Sequence, residues 1–208
     1  MCRDFYIFRH GQSTYNVLKR TQGQTNDSVL TELGRAQALA VGRKLQNRHI
    51  EIIVTSPLMR AVQTAETANE ALHVDIVEDE HFLEVNVGEA EGLHYTEVLK
   101  RYKDVFEKLH SADCDKYQDI CYPNGETKRE VKERIFEGLE KWCAKPYHTI
   151  AVSTHGIALS QIMYALGKEA KNIESGNICP PWVCPESIRS KCSSDPSSIS
   201  GLCFRKML

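Results

Sequence analysis

Two apolar runs in this chain end on the same polar signature, "YIFRHG" at residues 6–11 and "IAVSTHG" at residues 150–156. Each delivers an imidazole and then a glycine where an extended segment stops, which in open α/β sheets is the edge where ligands bind. A third run, "EIIVT", is followed by Ser56 and then Arg60, one turn into a helix that starts at the same edge. With Arg9 beside His10, the set is two guanidiniums, two imidazoles and the amides of helix N-termini. That combination suits a dianion such as a phosphoryl group. Taken singly, each histidine reads as a satisfied turn residue and each arginine as a solvated surface cation. Repetition in the same context is what favours a site.

Glu84, in "HFLEVNVGEAEGLHY", is the remaining group suited to proton transfer. An ionised carboxylate is repelled by a phosphate, so its natural role there is a protonated acid that gives its proton to a leaving oxygen. Glu91 is a weaker candidate and reads mainly as a loop or helix-start residue. Gly88 and Gly92 imply a tight turn after an extended segment.

These residues must be positioned by a sheet and its helices. Phe5 to Phe8, Glu51 to Thr55, Val74 to Val77 and Thr149 to Ser153 are continuous apolar runs, the pattern of strands buried on both faces in a mostly parallel sheet. Helices are expected between them: Thr31 to Gln46; a segment capped by Ser56 with Pro57 at its first position; one opened by the capping-box pattern Thr127-Lys-Arg-Glu130; and Gly156 to Leu166. Val131, Ile135, Leu139 and Trp142 form the core stripe of the third. Alternating strands and helices predict a three-layer α/β/α domain. His94 to Tyr122 is the least patterned interior stretch, an irregular or helical excursion that could serve as a lid.

At 208 residues the chain accommodates one domain, and 41% hydrophobic with 26% charged residues is an ordinary globular composition. A net charge of −2 offers no general attraction for nucleic acid or anionic membrane. The N-terminus carries no apolar run of signal-peptide length, so a cytoplasmic location is expected, with the eight cysteines reduced. Cys179, Cys184, Cys192 and Cys203 crowd the last thirty residues without a C-x-x-C pair, which favours scattered thiols over zinc. The domain is expected to span 1–178. Residues 179–208 read as an irregular Cys/Pro/Ser-rich tail lacking a clear final strand, with Trp182 anchoring its start.

Arg9-His10-Gly11 with Asn16, "QGQTNDSVLTELGRAQA", "SPLMRAVQTAE", "LEVNVGEAEG", "NGETKREVKER" and "STHG" follow one another in register. In that order they resemble the histidine phosphatase superfamily, which includes cofactor-dependent phosphoglycerate mutases. The likeness covers residues 4 to about 167 and implies the phosphoglycerate mutase-like fold. It also implies a phosphohistidine mechanism, with His10 as nucleophile, Arg9 and Arg60 as phosphate clamps, His155 as the second pocket histidine and Glu84 as proton donor. Asn16, Gln22, Gly23 and Gly156 match positions that touch phosphoryl group or substrate, while Ser13, Thr14 and Gln24 are weaker contacts. The chemistry fits: a neutral imidazole attacks well when its other nitrogen is tied as a donor, typically to a backbone carbonyl. No metal or other cofactor is required for these roles.

Within the resemblance a phosphatase of small phosphomonoesters, such as sugar phosphates or phosphoglycerates, is favoured over a mutase. Only 70 residues separate Glu84 from His155, and "LKRYKDVFEKLHSADCDKYQDICYP" has no Arg-Arg pair to grip a second charged group. Lys100, Arg101 and Lys103 are the residues that could substitute for one. A non-catalytic scaffold is disfavoured because His10, Arg9, Arg60, Glu84 and His155 are all present. The expected partner is a small-molecule ester, with no nucleic acid and no membrane; a homodimer is compatible with the sequence. Ala90 stands where the family often has a large aromatic, which opens one pocket wall.

Overall fold

The computed structural model describes residues 3–111 and 116–165, together with the backbone of 202–206. Its sheet is built from β1 (Arg3–Arg9), β2 (Ile52–Thr55), β3 (Asp75–Glu78), β4 (Thr149–Thr154) and β5 (Leu202–Lys206), in the order β3-β2-β4-β1-β5 with every pair parallel. Six helices accompany it: α1 (Thr14–Val17), α2 (Glu32–Leu45), α3 (Met59–Asn69), α4 (Tyr95–Leu109), α5 (Lys128–Cys143) and α6 (Gly156–Ala165).

Alternation along the strands divides the core into two layers. Phe5, Ile7, Ile52, Val54, Ile150 and Val152 face one side, where they pack with Val131, Ile135 and Leu139 of α5 and with Leu159 and Ile162 of α6. Tyr6, Phe8, Ile53 and Ala151 face the other, with Val41 and Leu45 of α2 and Ala65 of α3. Because side chains alternate with period two, a strand covered by helices on both faces reads as an unbroken apolar run. The expected three-layer α/β/α architecture is therefore what forms.

Three expectations are corrected. The Val74–Val77 run gives a strand that is not buried on both faces: β3 lies at the sheet edge and its residues are exposed or half-exposed. The helix after Ser56 starts at Met59, with Leu58 still extended at φ −70° and ψ 131°, so Ser56-Pro57 is not its cap. Within the segment expected to be irregular, residues 202–206 pair in parallel with β1 as a final strand. Residues 166–201, with Trp182 and three of the four clustered cysteines, lie outside the described residues, as does the side chain of Cys203. Cys121 is a half-buried free thiol.

The excursion from His94 is helical. Val98 is fully buried, and Tyr102, Val105, Phe106 and Leu109 pack against the α5–α6 core layer; backbone at Tyr102 departs from helical geometry at φ −133° and ψ 35°. The capping box of α5 forms as expected, with Thr127 Oγ1 accepting from Glu130 N–H and Glu130 Oε2 accepting from Thr127 N–H. Among the described residues no helix is long and apolar enough to cross a membrane.

Asp79 ties the end of β3 to α5. Its buried carboxylate accepts from Lys141 Nζ at 2.8 Å, Trp142 Nε1 at 2.7 Å and the backbone and ring of His81. Burial pushes its pKa up, and the hydrogen bonds from Lys141, His81 and Trp142 outweigh that and bring it down to about 2. A carboxyl depressed in the folded state stabilises the fold above its unfolded pKa near 4 and loses that contribution as pH falls towards 2. Asp79→Asn is thus expected to cost about 2 kcal/mol at pH 7, with the gap to wild type closing between about pH 4 and pH 2 in urea titrations. A gap independent of pH across that window would contradict the assignment.

Candidate active site

The carboxyl ends of β1, β4 and β2, three neighbours in mid-sheet, converge on one place. Backbone pairing continues past the strands: His10 N–H donates to Thr154 O at 2.9 Å and Ser56 N–H to Ser153 O at 3.0 Å. This fixes His10 and His155 side by side, ring centroids 5.2 Å apart and tilted by 59°. Glycine follows His10 because α2 begins against it: a Cβ on Gly11 would stand 2.3 Å from Gly34 O.

His10 is buried, and its Nδ1 lies 2.7 Å from its neighbour's carbonyl, Gly11 O. An oxygen of that kind only accepts, so Nδ1 carries the proton and Nε2 presents a lone pair. Burial first, then the charges of Arg9 and Arg60, hold the imidazole well below its ordinary pKa. A neutral ring with a defined tautomer is the nucleophilic form.

His155 is fully buried, with Nε2 2.8 Å from Ser56 Oγ and no hydrogen-bond partner for Nδ1 among the described residues. Burial, followed by Arg60 and His10, holds its pKa well below the ordinary value. Ser56 is a site residue that the sequence reading assigned to a helix cap. The hint was its place at the end of a strand neighbouring the one that delivers His155.

Arg60 is fully buried too. Nη1 donates to Thr25 O at 2.8 Å and Nη2 to Gly23 O at 2.7 Å, while Nε has no partner among the described residues. Burial brings its pKa down to about 10, against the opposing pull of Glu84, so it is cationic at neutral pH. Gly23 adopts φ +51°, and a Cβ there would stand 2.4 Å from Glu91 Oε1, so both space and backbone call for glycine. It positions Arg60 through its carbonyl. Thr64, which the sequence reading passed over, accepts from Gly11 N–H at 3.1 Å and donates to Arg60 O at 2.7 Å, linking the histidine turn to the arginine helix. Arg9 is exposed and crosses Gly156, where a Cβ would stand 3.5 Å from its Cζ.

The Glu84 carboxylate reaches the start of α6: Oε1 accepts from Ala158 N–H at 3.1 Å and Oε2 from Ile157 N–H at 3.2 Å. Asn26 Oδ1 likewise takes the Met59 amide at the start of α3. The expectation that free helix amides line the anion site is corrected, because the protein uses these donors itself. The two guanidiniums are left as its positive charge, with the neutral imidazoles beside them. Glu91 Oε1 accepts from Gln24 N–H at 2.7 Å, and Gln24 Nε2 donates to Glu84 O at 2.9 Å. Gln24 therefore joins the arginine loop to the acid, and Glu91 serves as a loop anchor.

Buried Ser13 stands between two amides, its Oγ 2.9 Å from both Asn16 Oδ1 and Gln22 Oε1. The hydroxyl has one proton for the two oxygens; Asn16 Oδ1 also accepts Ser13 N–H at 3.0 Å, so the hydroxyl can serve Gln22 Oε1 and the two NH₂ groups are the atoms left to meet a ligand. Thr14 is engaged with Ser28 and Val29. Arg101 pairs with Glu97 and Lys103 with Glu107 as exposed pairs one helical turn apart along α4.

A family model described as histidine phosphatase superfamily (branch 1) matches residues 5–181. A Bacillus subtilis protein named as an uncharacterized phosphatase, PhoE, is 37% identical over 158 residues, 76% of this chain and 74% of its own length. A Proteus mirabilis protein named probable phosphoglycerate mutase GpmB is 33% identical over 160 residues, 76% and 72% of the two chains. Among solved structures, Bacillus stearothermophilus YhfR superposes with TM-score 0.72 at 29% identity over 86% of this chain and 85% of that one. A mycobacterial glucosyl-3-phosphoglycerate phosphatase in complex with VO3 gives TM-score 0.68 at 27% identity, covering 77% and 79%.

Proposed function

Because the chain belongs to the histidine phosphatase superfamily, we propose that it hydrolyses small phosphomonoesters through a phosphohistidine on His10. The observation that carries this reading is the pairing of a tied His10 Nδ1 with two buried nitrogens, the Arg60 Nε donor and His155 Nδ1, that have no partner among the described residues. Buried polar nitrogens are normally satisfied, and an entering phosphoryl oxygen would accept from Arg60 Nε, and from His155 Nδ1 in the tautomer in which Ser56 Oγ donates to Nε2. Each full cation about 4 Å from phosphoryl charge contributes on the order of 4 kcal/mol at an effective dielectric near 20, before desolvation is subtracted.

In the first step the His10 Nε2 lone pair forms the N–P bond as the ester P–O bond breaks, and Glu84 passes its proton to the leaving oxygen. In the second, Glu84 takes a proton from water, whose oxygen displaces His10 and releases inorganic phosphate. Arg9 and Arg60 clamp the phosphoryl oxygens, with Asn16 and Gln22 as neutral donors. We place the enzyme in the cytosol, a compartment suited to the free thiol of Cys121.

Transfer to a second hydroxyl instead of water would make the chain a mutase, as the name of the Proteus relative suggests for that protein. The α4 cations that could grip a second charged group include Arg101 and Lys103, and both are paired along the helix. Such exposed pairs hold only loosely; hydrolysis is favoured because the segment between Glu84 and His155 offers no Arg-Arg pair for a second charged group. Assaying a panel of phosphomonoesters without added metal tests it, with free phosphate as the expected product. Rapid conversion of 3-phosphoglycerate to 2-phosphoglycerate in the presence of a bisphosphoglycerate primer, with little free phosphate, would replace phosphatase by mutase.

The depressed His10 pKa sets the acid limb of the reaction. The base is neutral above its own pKa, so lowering that pKa extends activity to lower pH. Phosphoenzyme formation in single turnovers is expected to lose its His10-dependent rate only well below about pH 6.5, the ordinary histidine value. A loss centred at pH 6.5 or above would show a ring free of those influences.

A further inference from the structure

Arg134, on α5, spreads its guanidinium over the loop that carries the acid. Nη1 donates to His81 O at 2.8 Å and Leu83 O at 3.2 Å, with Glu80 O at 3.4 Å; Nη2 reaches Glu84 O at 3.4 Å. The other edge forms a bidentate pair with Glu126, Nε to Oε1 at 3.0 Å and Nη2 to Oε2 at 2.9 Å. Glu126 in turn holds Asn86 on both sides: its Oε2 accepts Asn86 N–H at 3.2 Å, and its own N–H donates to Asn86 O at 2.7 Å. One ion pair thus fixes the carbonyls up to Glu84 and the peptide two residues beyond it.

This clasp is shielded from water, with the side chains of Arg134 and Glu126 21% and 17% exposed. Planar bidentate geometry selects arginine, since lysine offers a single point of attachment. Losing the clasp need not unfold the loop, because Gln24 Nε2 still holds Glu84 O and Glu84 itself still meets α6. What is lost is the hold on the backbone on either side of Glu84, from which its carboxyl is aimed.

We propose that Arg134, locked by Glu126, is a positioning residue for Glu84 that sets the geometry of proton transfer to the leaving oxygen. This rests on the phosphatase reading above. Proton transfer needs hydrogen-bond reach, and misplacing a reacting group by about 1 Å can cost roughly 100-fold.

The test compares two substrates. An alkyl phosphate needs its leaving oxygen protonated, whereas p-nitrophenyl phosphate releases a stable anion. With kcat/KM, which reports phosphoryl transfer to His10, Arg134→Gln is expected to lose roughly 10- to 100-fold on the alkyl ester and less than about threefold on the aryl ester. In a Glu84→Gln background the same change should add almost nothing. Equal losses on both esters, or a full additional loss without Glu84, would leave Arg134 a structural residue and overturn the proposal. Should Arg134→Gln fail to fold, Glu126→Gln reads the same ratio with the side chain's size retained. A wild type that turns over neither ester would instead sink the phosphatase reading, and a differently patterned loss in a working enzyme sinks only the positioning role.

Discussion

Replacing His10 by alanine is expected to lower kcat/KM for phosphomonoesters by at least about 10⁴-fold, on the scale seen when the nucleophile is removed from a covalent mechanism. Protein quenched with base during turnover should carry a base-stable, acid-labile phosphoryl group in the wild type and none in the variant. The fold should tolerate the change. His10 makes one side-chain hydrogen bond, to its own neighbour's carbonyl, while its backbone N–H still pairs with Thr154. Losing one such bond costs about 1 to 2 kcal/mol, a fall of no more than roughly 8 °C in Tm for a domain of this size. A variant that releases phosphate as fast as wild type would remove His10 as the nucleophile. Loss of activity accompanied by loss of the folded state would not distinguish chemistry from folding, so the Tm is measured on the same preparation.

Not all of the site depends on chemistry that a short motif advertises. His10, His155 and Arg60 were legible because each follows an apolar strand, and a continuous run such as Phe5 to Phe8 can be buried only between helical layers. Ser56 misled for a physical reason: serine before proline suits a helix cap, but here its hydroxyl faces His155 and the helix waits until Met59. Arg134 was invisible, since its partner Glu126 lies eight residues away and its other partners are backbone carbonyls of a loop, which have no side-chain signature. Likewise, α4 carries Val98, Tyr102, Val105, Phe106 and Leu109 at helical spacing, yet dense charge and the break at Tyr102 hide that period. The last strand, with the sequence LCFRK, is short and follows a Pro- and Ser-rich stretch. Only the adjacency of β1 gives it a partner.

Arg60 should show the largest combined effect on activity and stability. Its side chain is fully buried, and its carbonyl partners Gly23 and Thr25 belong to a loop that also carries Gln22 and Gln24. Removing it deletes a clamp worth up to about 4 kcal/mol of interaction with phosphoryl charge, which corresponds to about 10³-fold in rate if the contact is realised in the transition state. It also strands one buried and one half-buried carbonyl and leaves a void, so Arg60→Ala is expected to lose about 3 to 5 kcal/mol of stability as well. Arg60→Lys separates the two effects. It retains a cation but cannot reach Gly23 O, Thr25 O and a phosphoryl oxygen together, and should fall about 10- to 100-fold in kcat/KM while unfolding closer to wild type. Burial draws the arginine's pKa down only to about 10, so the clamp stays cationic through the neutral range in which the enzyme is assayed. Arg60→Lys activity equal to wild type at every pH would show that charge alone suffices at this position. Arg60→Ala activity within tenfold of wild type would show that the buried guanidinium builds the pocket without acting in it.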